Sequence, residues 1–132
     1  MLTACIWGIV PLIEKLGLAQ AGPVPGVFAR SLGVMVGATL CALVMSPWQA
    51  LAALPARSIL LLGLGGFLAS FVGQLAFYHA LKVGSVSQVA PLSGTYPLVA
   101  AILAWVLLRE PMTLTRVLGV CLIVFGAILL RR

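Results

Sequence analysis

The sequence predicts an all-α integral membrane protein with five transmembrane helices, and three observations lead to that fold class. Hydrophobic residues make up 63% of the chain and charged residues only 8%, with a mean hydropathy of +1.23. The apolar residues fall into runs of about 20, long enough to cross a ~30 Å hydrocarbon layer. Proline, glycine and charged residues separate these runs. A soluble domain of this size would need far more charged residues to cover its surface.

The stretch from Ser58 to Pro111 organises the chain, because it reads as two apolar helices joined by a tight turn. The first, residues 58–82, is too long and too apolar for a helix in a soluble core. The second covers residues 86–108. At ~1.5 Å rise per residue each helix can cross the bilayer. The stretch therefore predicts a transmembrane hairpin around which the other helices pack.

Three further apolar runs complete the expected set. Helix one is short for a full span, and a turn rich in proline and glycine separates it from helix two. Residues 46–57 are expected to form a loop between helices two and three. The whole chain, residues 1–132, is expected to be a single transmembrane domain. The predicted helices span residues 1–18, 25–45, 58–82, 86–108 and 113–130.

Charge and composition exclude several classes of function. The net charge is +6, but the basic residues are scattered between apolar runs, which favours lipid headgroups over nucleic acid. Three cysteines, Cys5, Cys41 and Cys121, lie in apolar runs and form neither a disulfide framework nor a metal-ligand spacing. One histidine, two glutamates and no aspartate leave no hydrolytic constellation. The sequence thus predicts no enzyme activity, no metal and no cofactor.

One acidic and one basic residue are expected at similar membrane depth. Glu14 lies near the end of helix one, and Arg30 lies near the start of helix two, across a short turn. An unpaired charge at that depth costs a few kcal/mol, so pairing is expected. Three interpretations are open: an interhelical ion pair that fixes the hairpin, a Glu14 carboxylate that binds a coupling proton or cation and faces a central cavity, or simple exposure at the membrane interface.

Small residues predict the positions of close helix packing. Helix two carries Ala29, Gly33, Gly37 and Cys41 at every fourth position, a ridge that lets two backbones approach closely in lipid. This ridge could pack within the subunit, pack between subunits or line a cavity. Gly119 and Gly126, one heptad apart in helix five, are a second pair of packing positions.

Polar and proline residues predict a cavity near the bilayer midplane. Pro91 and Pro97 interrupt helix four and free backbone carbonyls that need partners in the membrane. Broken helices of this kind form substrate sites in transporters, although a purely structural kink is the alternative. In helix three Ser70, Gln74 and Tyr78 follow i, i+4, i+8, which fits cavity lining or helix–helix hydrogen bonding. The predicted cavity residues are Trp7, Pro11, Gln74, Tyr78, Ser93 and Tyr96.

Several short motifs lie along the five expected helices and in the turn after the fourth. In chain order they are Trp7-Gly8 with Glu14-Lys15, Arg30, Phe77-Tyr78-His79-Ala80-Leu81-Lys82, Pro97, Leu108-Arg109-Glu110-Pro111-Met112-Thr113, and Leu118-Gly119 through Gly126. In these motifs the chain resembles a single EamA repeat of the drug/metabolite transporter superfamily over essentially its whole length. The resemblance implies one half of an inverted-repeat transporter fold.

The resemblance also implies how the protein works and with what. Members of the family commonly carry two repeats in one chain, so the second half is expected from a second copy or a homologous half-transporter. The expected function is movement of small metabolites or drug-like solutes by alternating access across a bacterial inner membrane. The alternatives are a lipid-linked sugar translocation subunit and a non-transporting membrane partner. The expected partners are the lipid bilayer, the second half and a small-molecule solute, without nucleic acid.

Overall fold

The computed structural model describes residues 2–130, and within that range the chain is almost entirely helical, with no β-strand. Met1, where helix one is predicted to start, and Arg131–Arg132 lie outside the described residues. In chain order the helices are α1 Leu2–Leu18, α2 Pro23–Met45, α3 Trp48–Ala52, α4 Ala56–Val83, α5 Val86–Leu108 and α6 Leu114–Leu129. A π-helical segment, Leu68–Gly73, interrupts α4. A two-residue turn divides α5 into Val86–Ser93 and Tyr96–Leu108.

The helix lengths agree with an all-α membrane fold. Among the described residues, α2, α4 and α5 are long and apolar enough to cross a membrane, and α6 is a shorter apolar helix. The described part of α1 has 17 residues, as its sequence suggested. The expected loop at residues 46–57 is partly wrong, because it contains the short helix α3. Pro47 is the N-cap residue of this helix, a position at which the missing N–H costs no intrahelical hydrogen bond.

Local sequence explains where the helices begin and end. Prolines lie at the starts of three helical segments: α2, α4 and the second half of α5. At these positions the segment has no carbonyl for a backbone N–H to bond, so the proline loses no hydrogen bond. The second half of α5 ends on Arg109, whose φ of 55° is left-handed. The Glu110 N–H then donates to the Ala104 carbonyl at 3.2 Å, a closure that satisfies a carbonyl at the helix end. Thr113 caps α6, since its Oγ1 accepts from the Arg116 N–H.

The described residues form two compact units, each with its own packing. One unit combines the residues up to Lys15 with those from Val83 onwards, and the other comprises Leu16–Lys82. In the first, both halves of α5 pack against α6. Ala127 of α6, at 6% exposure, and Pro11 of α1 are buried in this unit.

The core of the Leu16–Lys82 unit lies where the end of α1, the start of α2 and the end of α4 meet. Leu18, Val27, Tyr78 and Leu81 are buried there, each with 3% exposure or less. Gly26 makes this packing possible. A Cβ on Gly26 would lie 2.9 Å from Leu18 Cδ2 and 3.1 Å from two ring carbons of Tyr78. The three chain segments therefore meet around a position that has no side chain.

Aromatic rings pack further along α4. Phe67 and Phe71 are stacked, with ring centroids 5.7 Å apart, and Phe28 of α2 meets Phe71 edge to face at 6.5 Å. Phe71 belongs to the π segment of α4. A π turn bonds residue i to i+5 and so holds one residue more than an α turn. Ser70 lies in this segment, so the predicted stripe through Ser70, Gln74 and Tyr78 begins in π-helical rather than α-helical backbone; the stripe itself stays a prediction.

Most large apolar side chains are exposed on the chain. Each span that can cross a membrane contains an apolar stretch of 18 residues, of which 6% are buried in α2 and 0% in α4 and α5. In water such continuous apolar surface would be an aggregation liability. In a bilayer it is the surface that lipid or a second protein covers, which agrees with the composition.

Replacing Gly26 by alanine should destabilise the protein. The new methyl group would overlap Leu18 and the Tyr78 ring, and overpacking of a tight contact costs about 1–3 kcal/mol. Gly63→Ala in α4 is the matched control, because a Cβ there would meet no described atom within 4 Å. The measurement is the free energy of unfolding in detergent. Equal stability of the two variants would contradict the tight contact at Gly26.

Candidate substrate site

The break in α5 is the main irregularity in a transmembrane helix of the first unit. Pro91 and Pro97 have no N–H to donate to the carbonyls four residues before them, at Ser87 and Ser93. Between the prolines the helix turns at Gly94 and Thr95. At ~1.5 Å per residue this turn lies about 12 Å from the start of α5, close to the middle of a ~30 Å hydrocarbon layer.

The turn keeps part of its hydrogen bonding within the chain. The Gly94 N–H donates to Ala90 O at 2.9 Å, and the Thr95 N–H donates to Leu92 O at 3.2 Å. The Thr95 hydroxyl donates to the same Leu92 carbonyl at 2.7 Å. The Thr95 side chain is thus committed to stabilising the break. The Ser87 and Ser93 carbonyls lack the N–H donor that an uninterrupted α-helix would place four residues later.

Four of the six predicted cavity residues belong to this unit, and their exposure differs. Tyr96 is 62% exposed at the first position after the break, and Trp7 of α1 is 65% exposed. Ser93 is exposed immediately before the break, whereas Pro11 is buried inside α1. The hydroxyls of Ser93 and Tyr96 therefore flank the irregular backbone and are accessible on the chain surface.

The other two predicted cavity residues, Gln74 and Tyr78, lie in the Leu16–Lys82 unit. Gln74 follows the π segment and is half-buried. Tyr78 is only 3% exposed, and its ring packs against Gly26. Within this unit the Tyr78 ring therefore takes part in helix packing, in addition to the hydrogen bonding or cavity lining that its sequence position predicts. Cavity lining by these two residues stays a prediction.

The predicted partners Glu14 and Arg30 are both half-buried. Glu14 belongs to the first unit, in the penultimate turn of α1, and Arg30 lies in the second turn of α2 in the other unit. The choice between an ion pair and a coupling carboxylate stays a prediction.

Two lysines bond to backbone carbonyls at helix ends, a feature that sequence reasoning missed. In the Leu16–Lys82 unit, Lys82 Nζ donates to Leu18 O, the last residue of α1, and to Ala21 O at 2.9 Å. In the first unit, Lys15 Nζ donates to Gly84 O at 2.9 Å, just after the end of α4. The last carbonyls of a helix have no intrahelical donor, so a cation there supplies both a hydrogen bond and a favourable charge.

The small-residue positions are open on the chain. A Cβ on Gly33, Gly37, Gly119 or Gly126 would meet no described atom within 4 Å. Ala29 and Cys41, which complete the ridge on α2, are also exposed. At the two glycines the ridge therefore has space for a backbone from outside the chain. Among residues 2–130 no group of three or more histidine, cysteine or acidic side chains could hold a metal ion.

Comparison with known proteins places the chain in a family. The EamA-like transporter family matches residues 1–132. The chain belongs to this family. The resemblance that its motifs indicated is thereby confirmed, as is the all-α membrane fold class. Membership makes the protein a multi-pass membrane protein of a transporter family.

Two curated relatives cover nearly the whole chain. A Sinorhizobium protein named as an uncharacterized transporter in the cobO 3′ region is 31% identical over 130 residues, which cover 98% of this chain and 92% of that protein. An uncharacterized protein of Methanocaldococcus jannaschii is 28% identical over 130 residues, which cover 98% of this chain and 91% of that protein. No solved structure is significantly similar to the chain.

Removing the Lys82 ammonium should destabilise the meeting point of α1 and α4. Lys82→Met keeps the apolar stem and loses the bonds to the Leu18 and Ala21 carbonyls. A charged hydrogen bond contributes about 1.5–3 kcal/mol, and the exposure of Lys82 reduces that to about 1 kcal/mol.

Lys82→Arg retains donors and a positive charge, so it should keep more of the stability than the methionine variant. Chemical unfolding in detergent measures both. Wild-type stability in Lys82→Met would show that the two carbonyls do not depend on the lysine.

Proposed function

We propose that this chain is one half of a membrane transporter that moves small metabolites or drug-like solutes by alternating access. The observation that carries the proposal is the break in α5 at Gly94–Thr95, near the expected bilayer midplane. Irregular backbone at that depth is tolerated where it is buried in protein or lines a cavity. Transporters use such broken helices to bind solutes.

The proposed cavity contains the polar and aromatic groups that lie nearest this depth. Ser93 and Tyr96 present hydroxyls on either side of the break, and Trp7 presents an exposed aromatic face. Gln74, Tyr78 and Pro11 are the proposed contributions of α4 and α1. This combination of a few hydrogen-bonding groups among aromatic surfaces suits small amphiphilic organic solutes.

The working unit is proposed to contain two such halves. Members of this family commonly carry two repeats in one chain, and inverted repeats place the site at the interface between them. The two curated relatives are aligned over 92% and 91% of their own lengths, so they too are about one repeat long. A second copy or a homologous half would supply the missing repeat.

Flux measurements on a matched pair of α5 variants test the proposed site. Tyr96 is 62% exposed and Val99, one turn further, is 59% exposed, but only Tyr96 offers a hydroxyl beside the break. In proteoliposomes screened across solute classes, Tyr96→Ala should lower uptake of the transported solute about tenfold, which corresponds to about 1.4 kcal/mol of binding. Val99→Ala should transport like wild type.

Absence of flux with every solute class, in a protein that is folded and paired, would favour a non-transporting partner role. Flux restricted to lipid-linked sugars would favour the alternative function, a lipid-linked sugar translocation subunit. Equal flux of the Tyr96 and Val99 variants would remove Tyr96 from the site.

Substitution of Glu14 separates coupling from pairing. Glu14→Gln keeps the shape and removes the charge. If Glu14 only pairs with Arg30, the variant should lose stability, and Arg30→Gln in the same chain should restore much of it, because an unpaired charge at that depth is costly. If Glu14 binds the coupling proton, the single variant should be stable but lose the dependence of flux on the pH gradient.

Both variants are measured for unfolding in detergent and for gradient-driven flux in proteoliposomes. We expect the pairing outcome, because the two half-buried groups are expected at similar depth. Normal stability together with normal pH-dependent flux in Glu14→Gln would rule out both roles.

Bulk on the α2 ridge tests where the halves meet. The ridge Ala29, Gly33, Gly37 and Cys41 is proposed as the contact, since a Cβ at either glycine meets no described atom. Gly37→Ile should push the two backbones apart and reduce the yield of crosslinked dimer in membranes. Val36→Ile, which adds one methylene beside the ridge on the same helix, is the control. An unchanged dimer yield in folded Gly37→Ile would place the contact elsewhere.

A further inference from the structure

A groove of about 460 Å³ lies between the second half of α5 and α6, within the first unit. Its volume is in the range of small-molecule sites, which is about 300–1,000 Å³. None of the predicted transport residues takes part in it. It is lined by Ala100, Ala101, Ala104, Trp105, Glu110, Met112, Arg116, Gly119, Val120 and Ile123.

The groove is long, apolar and open towards the surroundings of the helices. Ala100 lies about 12 Å along α5 from its end at Leu108, and Ile123 lies about 14 Å along α6 from its start at Leu114. The groove thus runs through roughly half of a ~30 Å hydrocarbon layer. Its small residues, among them Ala104 and Gly119, leave room for a narrow hydrocarbon chain.

The charged lining residues of the groove lie at its surface end. Glu110 follows the left-handed turn that closes α5, and Arg116 is in the first turn of α6. Both side chains are exposed. Arg116 Nη1 donates to the Pro111 carbonyl at 2.9 Å, which holds the guanidinium over the turn. An arginine has five N–H donors, so this contact leaves others for an anion.

We propose that this groove binds a bilayer phospholipid with an ammonium headgroup, such as phosphatidylethanolamine. One acyl chain lies along Ala100, Ala104 and Gly119. The Glu110 carboxylate accepts from the ammonium group, and the Arg116 guanidinium donates to the phosphate. Charged hydrogen bonds of both kinds are short and favourable. A zwitterionic headgroup carries both the positive charge that complements Glu110 and the negative charge that complements Arg116. An apolar helix in the groove would contact its apolar wall but would complement neither charged residue. The site is independent of the proposed transport function.

Lipid titration monitored by native mass spectrometry tests the proposal on the full chain in a mild detergent. The probes are dioleoyl phosphatidylethanolamine and dioleoyl phosphatidylglycerol, which share acyl chains and phosphate and differ in the ammonium group. The wild type should bind the first about two- to fivefold more tightly, the effect of one exposed charge pair. Glu110→Gln should abolish this preference while it retains binding of both lipids.

Filling the groove provides the second comparison. Gly119→Ile should weaken binding of both lipids, and Gly119→Ala, whose methyl meets no described atom within 4 Å, should give a smaller loss in a chain that still folds. Gly126→Ile is the matched control, since it adds the same bulk to the same helix outside the groove and also starts from open space. It should bind both lipids like wild type.

Three results would overturn the proposal. Equal affinity of the wild type for the two lipids would remove the headgroup role of Glu110. A preference that survives in Glu110→Gln would assign it to another group. Retained lipid binding together with loss of dimer in Gly119→Ile, but not in Gly126→Ile, would show that a second copy of the chain occupies the groove.

Discussion

The hydrogen-bonding demand of the backbone in a lipid environment is the constraint on which the rest of this structure depends. A bilayer offers no partners for N–H and C=O groups, so the chain must satisfy them itself or keep them beside protein or water. At the end of α1 the carbonyls of Leu18 and Ala21 receive the Lys82 ammonium. At the end of α5 the left-handed Arg109 turns the chain so that Glu110 bonds back to Ala104. The helix ends are therefore closed by the chain.

The same constraint makes the interior of α5 distinctive. Pro91 and Pro97 remove two donors from a helix that is otherwise apolar, and the Thr95 hydroxyl bonds to a different carbonyl, that of Leu92. The cost of carbonyls without partners is acceptable if a solute or cavity water can bond to them. The broken helix is thus more informative about function than the apolar surface, which any membrane protein shares.

The sequence predicts much of this architecture because a helix that crosses a bilayer must be long and apolar, and such runs are easily recognised. Apolar runs of sufficient length predicted the spans, and the prolines predicted the break in α5. The π segment of α4 was beyond such reasoning, since it depends on a local change of hydrogen-bond partner. Gly73, the last residue of the π segment, packs closely there, because a Cβ on it would lie 3.2 Å from the Leu68 carbonyl oxygen. This close contact is visible only in the structure. The hydrogen bond from Lys82 to the Leu18 carbonyl could not be predicted either, because the two residues are 64 positions apart in the sequence.

Glycines on one helix show why the candidate site could be predicted only in part. Gly26 and Gly37 look alike in the sequence, yet Leu18 and Tyr78 occupy the space beside Gly26, whereas no described atom lies within 4 Å of a Cβ on Gly37. Tyr78 was consequently drawn into packing, although its hydroxyl and position suited a cavity equally well. An α-helical pattern states which residues share a face, but the neighbour of that face is set by the whole assembly. A glycine that meets no described atom of its own chain is where another helix backbone can approach most closely, so the open ridge of α2 agrees with the proposed contact between two halves.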